Sequence, residues 1–145
     1  MNSHQSVDLV LVEDNASDEE LTLHVLRKHN LANRILVLRD GAEALDCFFG
    51  SARAISPKLV LLDLKLPKVN GIEVLGRLKG DSRTCNFPVV VLTSSREDRD
   101  LVACYELGVN SYIVKPVDFA QFTEAVRQLG LYWLLLNQPV EGVRT

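Results

Sequence analysis

Cysteine is scarce in this sequence and is not organised for chemistry. Cys47, Cys85 and Cys104 are odd in number and widely separated, with no CxxC pair and no Cys/His ligand spacing. Neither a disulfide framework nor a thiolate metal centre is expected; reduced, structural thiols are. Long apolar runs are missing as well. None approaches the ~20 residues that cross a bilayer, and the polar start from Met1 to Ser6 has no apolar signal core. No membrane partner is therefore expected, and a cytoplasmic location is. An excess of basic charge is also lacking. The formal net charge is -3, which gives no basic face for direct nucleic-acid binding. Internal repeats, low-complexity tracts and linkers are absent.

What is present suits one domain over residues 1–145, with a core over 7–130 and a C-terminal helix and tail over 131–145. Apolar residues make up 47% and charged residues 24%, enough apolar surface for a core of useful size. Short apolar runs recur at Leu9–Val12, Ile35–Leu38, Leu59–Leu62, Val89–Leu92 and Tyr112–Val114. They are nearly all apolar rather than alternating, as parallel strands covered on both faces require. Helical patterns lie between them and open on caps. Ser17 with Glu20 reads as a capping box, Asn70 with Glu73 and Ser95 with Asp98 as looser versions, and Asp118 as the cap of the last helix. Gly108, followed by Asn110, stops the helix before the fifth run. Five strands alternating with five helices predict an α/β fold, a single doubly wound five-stranded parallel sheet with right-handed crossovers.

In such sheets ligands lie beyond the carboxyl ends of the strands, near the point where strand order reverses. The residues that close the strands are Glu13 and Asp14, then Asp63, Thr93 and Lys115. Three acids without three basic partners repel one another. A hard divalent cation relieves this, and Mg²⁺ suits oxygen ligands while keeping several waters; Mn²⁺ is the expected substitute. Asp14 and Asp63 are the expected direct ligands, and Glu13 holds a metal-bound water. A carboxylate with such support can attack phosphorus and become an acyl phosphate. The metal and Lys115 then neutralise the transferring oxygens, while Thr93 donates a hydrogen bond to one of them. Each residue alone has a plainer role: Glu13–Asp14 as a helix cap, Thr93 as a strand-end hydroxyl, Lys115 as a solvated lysine in a turn. Their joint arrival at one rim favours the chemical site.

The motifs around these residues are Val12-Glu13-Asp14-Asn15, Leu61-Leu62-Asp63-Leu64-Lys65-Leu66-Pro67 with Asn70-Gly71, Leu92-Thr93-Ser94, and Tyr112-Ile113-Val114-Lys115-Pro116. Over about Asp8 to Leu129 the chain resembles the receiver domains of bacterial two-component response regulators. The resemblance implies a flavodoxin-like strand order, 2-1-3-4-5. It implies that Asp63 is the phosphoacceptor, fed by a sensor histidine kinase, and that Glu13 and Asp14 are the acidic pair. It makes the backbone carbonyl of Lys65 the third protein ligand of Mg²⁺, and Lys115 the phosphate-contacting lysine, with a cis peptide to Pro116. Thr93 and Tyr112 match the switch pair that reports phosphorylation to the face of the fourth helix and fifth strand, and so to a downstream protein. Such a domain is not an enzyme beyond its own phosphotransfer and autodephosphorylation. Asn30-Leu31-Ala32-Asn33, Arg39-Asp40-Gly41-Ala42-Glu43-Ala44-Leu45, Asp118-Phe119-Ala120-Gln121-Phe122 and the ending Tyr132-Trp133-Leu134 with Asn137-Gln138-Pro139 narrow the likeness. They resemble stand-alone regulators paired with phytochrome-type histidine kinases.

Lys65 and Ser95 lie two residues beyond Asp63 and Thr93, where the family tunes hydrolysis; Lys65 either shields the acyl phosphate or points into solvent. His4, His24 and His29 share no motif with the acids and are expected in solvent or at caps. Phe119, Phe122, Val126, Leu129 and Trp133 form a core-facing helical stripe. The run Leu131–Leu136 is apolar all round, more than one helix face can bury, so a homodimer through Leu131, Tyr132, Trp133 and Leu135 is expected. Other functions fit less well. A haloacid-dehalogenase-like phosphatase needs an acid where Lys65 stands. A flavin module needs a hydroxyl- and glycine-rich first loop where Glu13 and Asp14 would repel its phosphate. A receiver fold kept only as a phosphorylation-independent interaction module has no reason to hold the full five-residue set.

Overall fold

Alternate residues of a strand point to opposite faces, so an unbroken apolar strand must be covered on both sides. The computed structural model describes residues 5–32, 34–50, 55–94, 99–109 and 111–131, and its strands meet that demand. They are β1 (Gln5–Val12), β2 (Ile35–Leu38), β3 (Ile55–Asp63), β4 (Val89–Thr93) and β5 (Tyr112–Val114). They form one parallel sheet in the expected order, β2-β1-β3-β4-β5. The helices are α1 (Ala16–Lys28), α2 (Gly41–Leu45), α3 (Gly71–Lys79), α4 (Arg99–Glu106) and α5 (Phe119–Gln128), with α2 running on as a π-helical turn over Asp46–Gly50. Leu9 and Leu11 of β1, Leu59 and Leu61 of β3, and Val90 and Leu92 of β4 pack under Leu26 of α1 and Phe122, Ala125 and Val126 of α5. The intervening residues, such as Val10, Val60 and Val91, pack on the other side against Ala44, Leu75, Leu78 and Cys104. All three cysteines are free.

Register sets the level at which each strand ends. Val12 lies opposite both Leu38 and Leu62, so the chain leaves β1 and β3 side by side, at the place where strand order reverses. β1 and β3 also begin earlier than their apolar runs, pairing Gln5 with Ile55 and Ser6 with Ser56. A partner strand supplies ladder hydrogen bonds to polar residues as readily as to apolar ones.

The caps are partly different from those the sequence predicts. Asn70 and Asp118 accept from the backbone N–H of Glu73 and Gln121. At α1, however, the cap is Asn15, whose side chain accepts from Asp18 N–H. Ser17 lies inside the first turn, because the helix starts at once after the strand-end acids. Gly108 takes φ +98 after α4, while Ser95, Asp98 and Asn110 lie outside the described residues. The last helix also ends sooner. Leu129 caps it, Gly130 takes φ +74, and Leu131 N–H turns back to the Val126 carbonyl at 2.9 Å. Phe119 does not join the core stripe. It is 37% exposed and stacks on His29, the α1 C-cap, with ring centroids 4.1 Å apart, while Val117 fills the core beside α5. Trp133, Tyr132 and Leu135 lie outside the described residues; Leu131 packs partly buried against the chain's own core. Among the described residues, no helix is long and apolar enough to cross a membrane.

Candidate functional site

The alternation that sends Leu9 and Leu11, Leu59 and Leu61, and Ile113 toward α1 and α5 continues past the strand ends to Glu13, Asp63 and Lys115. Lys115 Nζ donates to Asp63 Oδ2 at 3.0 Å, to both Glu13 oxygens at 3.3 and 3.4 Å, and to Asp18 Oδ2 at 2.8 Å. The lysine is brought there by a backbone hydrogen bond from Lys115 N–H to the Thr93 carbonyl, 2.8 Å, and is followed by a cis peptide to Pro116. Gln121 of α5 secures the same corner. Its amide pairs with both backbone groups of Val114 at 3.0 and 2.9 Å, occupying part of the open edge of β5.

Glu13 is fully buried and Asp63 is 3% exposed, whereas Asp14 is exposed. One oxygen from each lies within 4.8 Å of the others. Burial, together with a hydrogen bond and negative charge from Asp63, pushes the Glu13 carboxyl up to about 8, against the opposing pull of Lys115. Burial works against the Lys115 charge, yet its bonds to Asp18 and Asp63 hold the ammonium well above the ordinary lysine range. One lysine thus fails to satisfy the acids, and positive charge is still wanted. The donor set is all oxygen and suits a hard divalent cation. One oxygen from each of the three acids can thus approach a single cation.

The loop after β3 is folded tightly against the site. Lys65 N–H donates to Asp63 Oδ1 at 3.1 Å, and the Lys65 side chain is exposed. A Cβ at Gly71 would collide with the Asp63 carbonyl oxygen, and one at Gly41 with that of Val69. Both glycines therefore allow the loop to lie against its neighbours. Thr93 is 1% exposed and belongs to the opposite alternation series. With Asp63, Leu64, Lys65, Leu92, Ser94 and Lys115 it lines a slot of about 40 Å³, little more than one water's share. Tyr112 lies on the adjacent strand, level with Val91, and its ring meets that of Tyr105 of α4 edge-on at 6.3 Å. The five strand-end residues are thus brought together, with Tyr112 one strand-step away. Sequence reasoning missed Asp18 and Gln121. Asp18 follows the Asn15 cap by three residues, which was the available sign that it faces the strand ends.

A fold of this order with acids at the switch point and a lysine closing β5 defines a receiver domain. The response regulator receiver domain model matches residues 9–127, and the chain belongs to that family, whose members are signalling modules rather than classical enzymes and partner with sensor histidine kinases. Its relatives include stand-alone bacteriophytochrome response regulators. The structure of the bacteriophytochrome response regulator AtBRR is 51% identical, covers 89% of this chain and 96% of its own, and has a TM-score of 0.79. Response regulator Rcp1 of Synechocystis sp. is 36% identical over 87% of this chain and 88% of its own. The crystal structure of its Mn²⁺-bound form has a TM-score of 0.72 at 35% identity, covering 88% and 94%. The probable methanogenesis regulatory protein FilR2 of Methanothrix harundinacea is 42% identical over 90% of this chain and 85% of its own.

Proposed function

We propose that this chain is a phosphoryl-accepting response regulator that takes its phosphoryl group on Asp63 from a sensor histidine kinase. The observation that carries the reading is a buried Asp63 with Lys115 Nζ at 3.0 Å and two further carboxylates within ligand distance. An Asp63 oxygen attacks the phosphorus of a phosphohistidine. The new O–P bond forms as the N–P bond breaks, and the imidazole keeps that electron pair and takes up a proton. Asp14, Asp63 and the Lys65 carbonyl would hold Mg²⁺ or Mn²⁺, with Glu13 acting through a water; the bound cation neutralises charge on the transferring oxygens. Lys115 neutralises a further oxygen and Thr93 donates to it. Thr93 and Tyr112 then carry the change toward α4 and β5 and a downstream protein. Water returns the carboxylate and releases inorganic phosphate. The Mn²⁺-bound form of Rcp1 supports the metal assignment by similarity.

The test is direct. Incubation with phosphoramidate and Mg²⁺ adds one hydroxylamine-labile phosphoryl group, and Asp63→Asn takes up none. Undiminished labelling of that variant refutes the acceptor, and no labelling of the wild type leaves only an interaction module. The likeness to AtBRR and Rcp1 supports a phytochrome-type kinase as the donor and the cytoplasm as the place of transfer. We further assign one receiver domain to residues 1–145, with the segment after Leu131 serving homodimerisation through Tyr132, Trp133 and Leu135, since Leu131 packs on the chain's own core.

A further inference from the structure

The strand-end set accounts for Asp63, Glu13 and Lys115, yet the shortest of the lysine's bonds runs outside that set, to Asp18 in the first turn of α1. We infer that Asp18 is a positioning residue that holds Lys115 in the resting protein, so that phosphoryl uptake at Asp63 proceeds only as the lysine leaves it. The inference rests on Asp63 being the acceptor. No bond is made or broken at Asp18; its carboxylate only gives up a hydrogen bond and an ion pair.

Three observations set the direction. Lys115 is shared among three acidic side chains, and Asp18 takes the 2.8 Å share, against 3.0 Å for Asp63 and 3.3 Å for Glu13. The partners also differ in how readily they are released. Glu13 and Asp63 side chains are 0% and 5% exposed, and stranding either is costly, whereas the Asp18 side chain is 31% exposed and water can replace the lysine there. Finally, Asp18 sits at a helix N-terminus beside the Asn15 cap, where its negative charge is stabilised without the lysine. When a phosphoryl group adds charge at Asp63, Asp18 is therefore the partner given up. Until then it cancels part of the charge that would meet an anionic donor. Its release also frees the first turn of α1 from the end of β5, two elements 97 residues apart in the chain.

Full-length Asp18→Asn should take up phosphate from phosphoramidate with Mg²⁺ about threefold faster or more, and Asp18→Glu should return to the wild-type rate. Equal or slower uptake by Asp18→Asn overturns the inference. So does a gain of the same size in a Lys115→Ala background, where no lysine remains to be held. The Lys115 Nζ resonance should differ between wild type and Asp18→Asn at rest and coincide once both are phosphorylated. Coincidence at rest, or a difference that persists, counts against it equally. A wild type that takes no phosphate overturns the acceptor reading, and this inference with it; a labelled wild type indistinguishable from Asp18→Asn removes the inference alone.

Discussion

At Glu13 the cost of burying a charge meets the repulsion of a neighbouring acid, and Lys115 offsets the two only in part. The carboxyl is pushed from an ordinary value of 4.5 up to about 8, so between those pH values the metal-free folded protein binds more protons than the unfolded chain. By linkage, this contribution to stability is fully present below pH 4.5 and is lost as pH rises through 8. Urea unfolding in chelator should therefore show wild type weakening relative to Glu13→Gln across that window, with Mg²⁺ removing the difference. A wild type that gains on Glu13→Gln over the same window would rule this out. The residue was legible in the sequence through its arrival at the strand ends together with Asp14, Asp63, Thr93 and Lys115. The proton it keeps was not, because that depends on Asp63 and Lys115, 50 and 102 residues away.

Among the elements, α5 shows how far periodicity reaches. The spacing of Phe119, Phe122, Val126 and Leu129 correctly marks one face of a helix. Yet Phe122 and Val126 are fully buried while Phe119 is 37% exposed, since Val117 already fills the core beside that turn. A helical period identifies a face and says nothing of where the surface beneath it ends. Phe122→Ala should cost about 3–5 kcal/mol of unfolding free energy. Phe119→Ala, which truncates an exposed ring stacked on His29, should cost under about 1 kcal/mol. Denaturant midpoints of the two variants decide the order, and equal losses would mean that Phe119 belongs to the core. The cap of α1 shows the same limit. Ser17 with Glu20 has the composition of a capping box, but Asn15 stands nearer the strand end and takes the helix first.

At the scale of the whole molecule, the proposed homodimer rests on the apolar sequence from Leu131 to Leu136, of which Leu131 packs on the chain's own core. Burying a leucine or tryptophan contributes roughly 1.5–3 kcal/mol, so two or three such side chains per subunit sustain association on the order of micromolar. Ultracentrifugation should find a dimer in the full-length protein and a monomer in Trp133→Ala with Leu135→Ala, still able to accept phosphate. A monomeric full-length protein at high micromolar concentration, with and without phosphodonor, ends the dimer proposal. The sheet and the residues at its rim were legible in the sequence itself, whereas the strand order was legible only through the family resemblance. Strands buried on both faces demand contiguous apolar runs, and the polar residue ending each run is a local, readable feature. Which acid holds Lys115, which carboxyl keeps a proton and which phenylalanine stays in solvent were decided only by the tertiary structure. Each depends on how α1 and α5 lie beside the ends of β1, β3 and β5, and through-space distances of a few ångströms between remote residues leave no local mark in the chain.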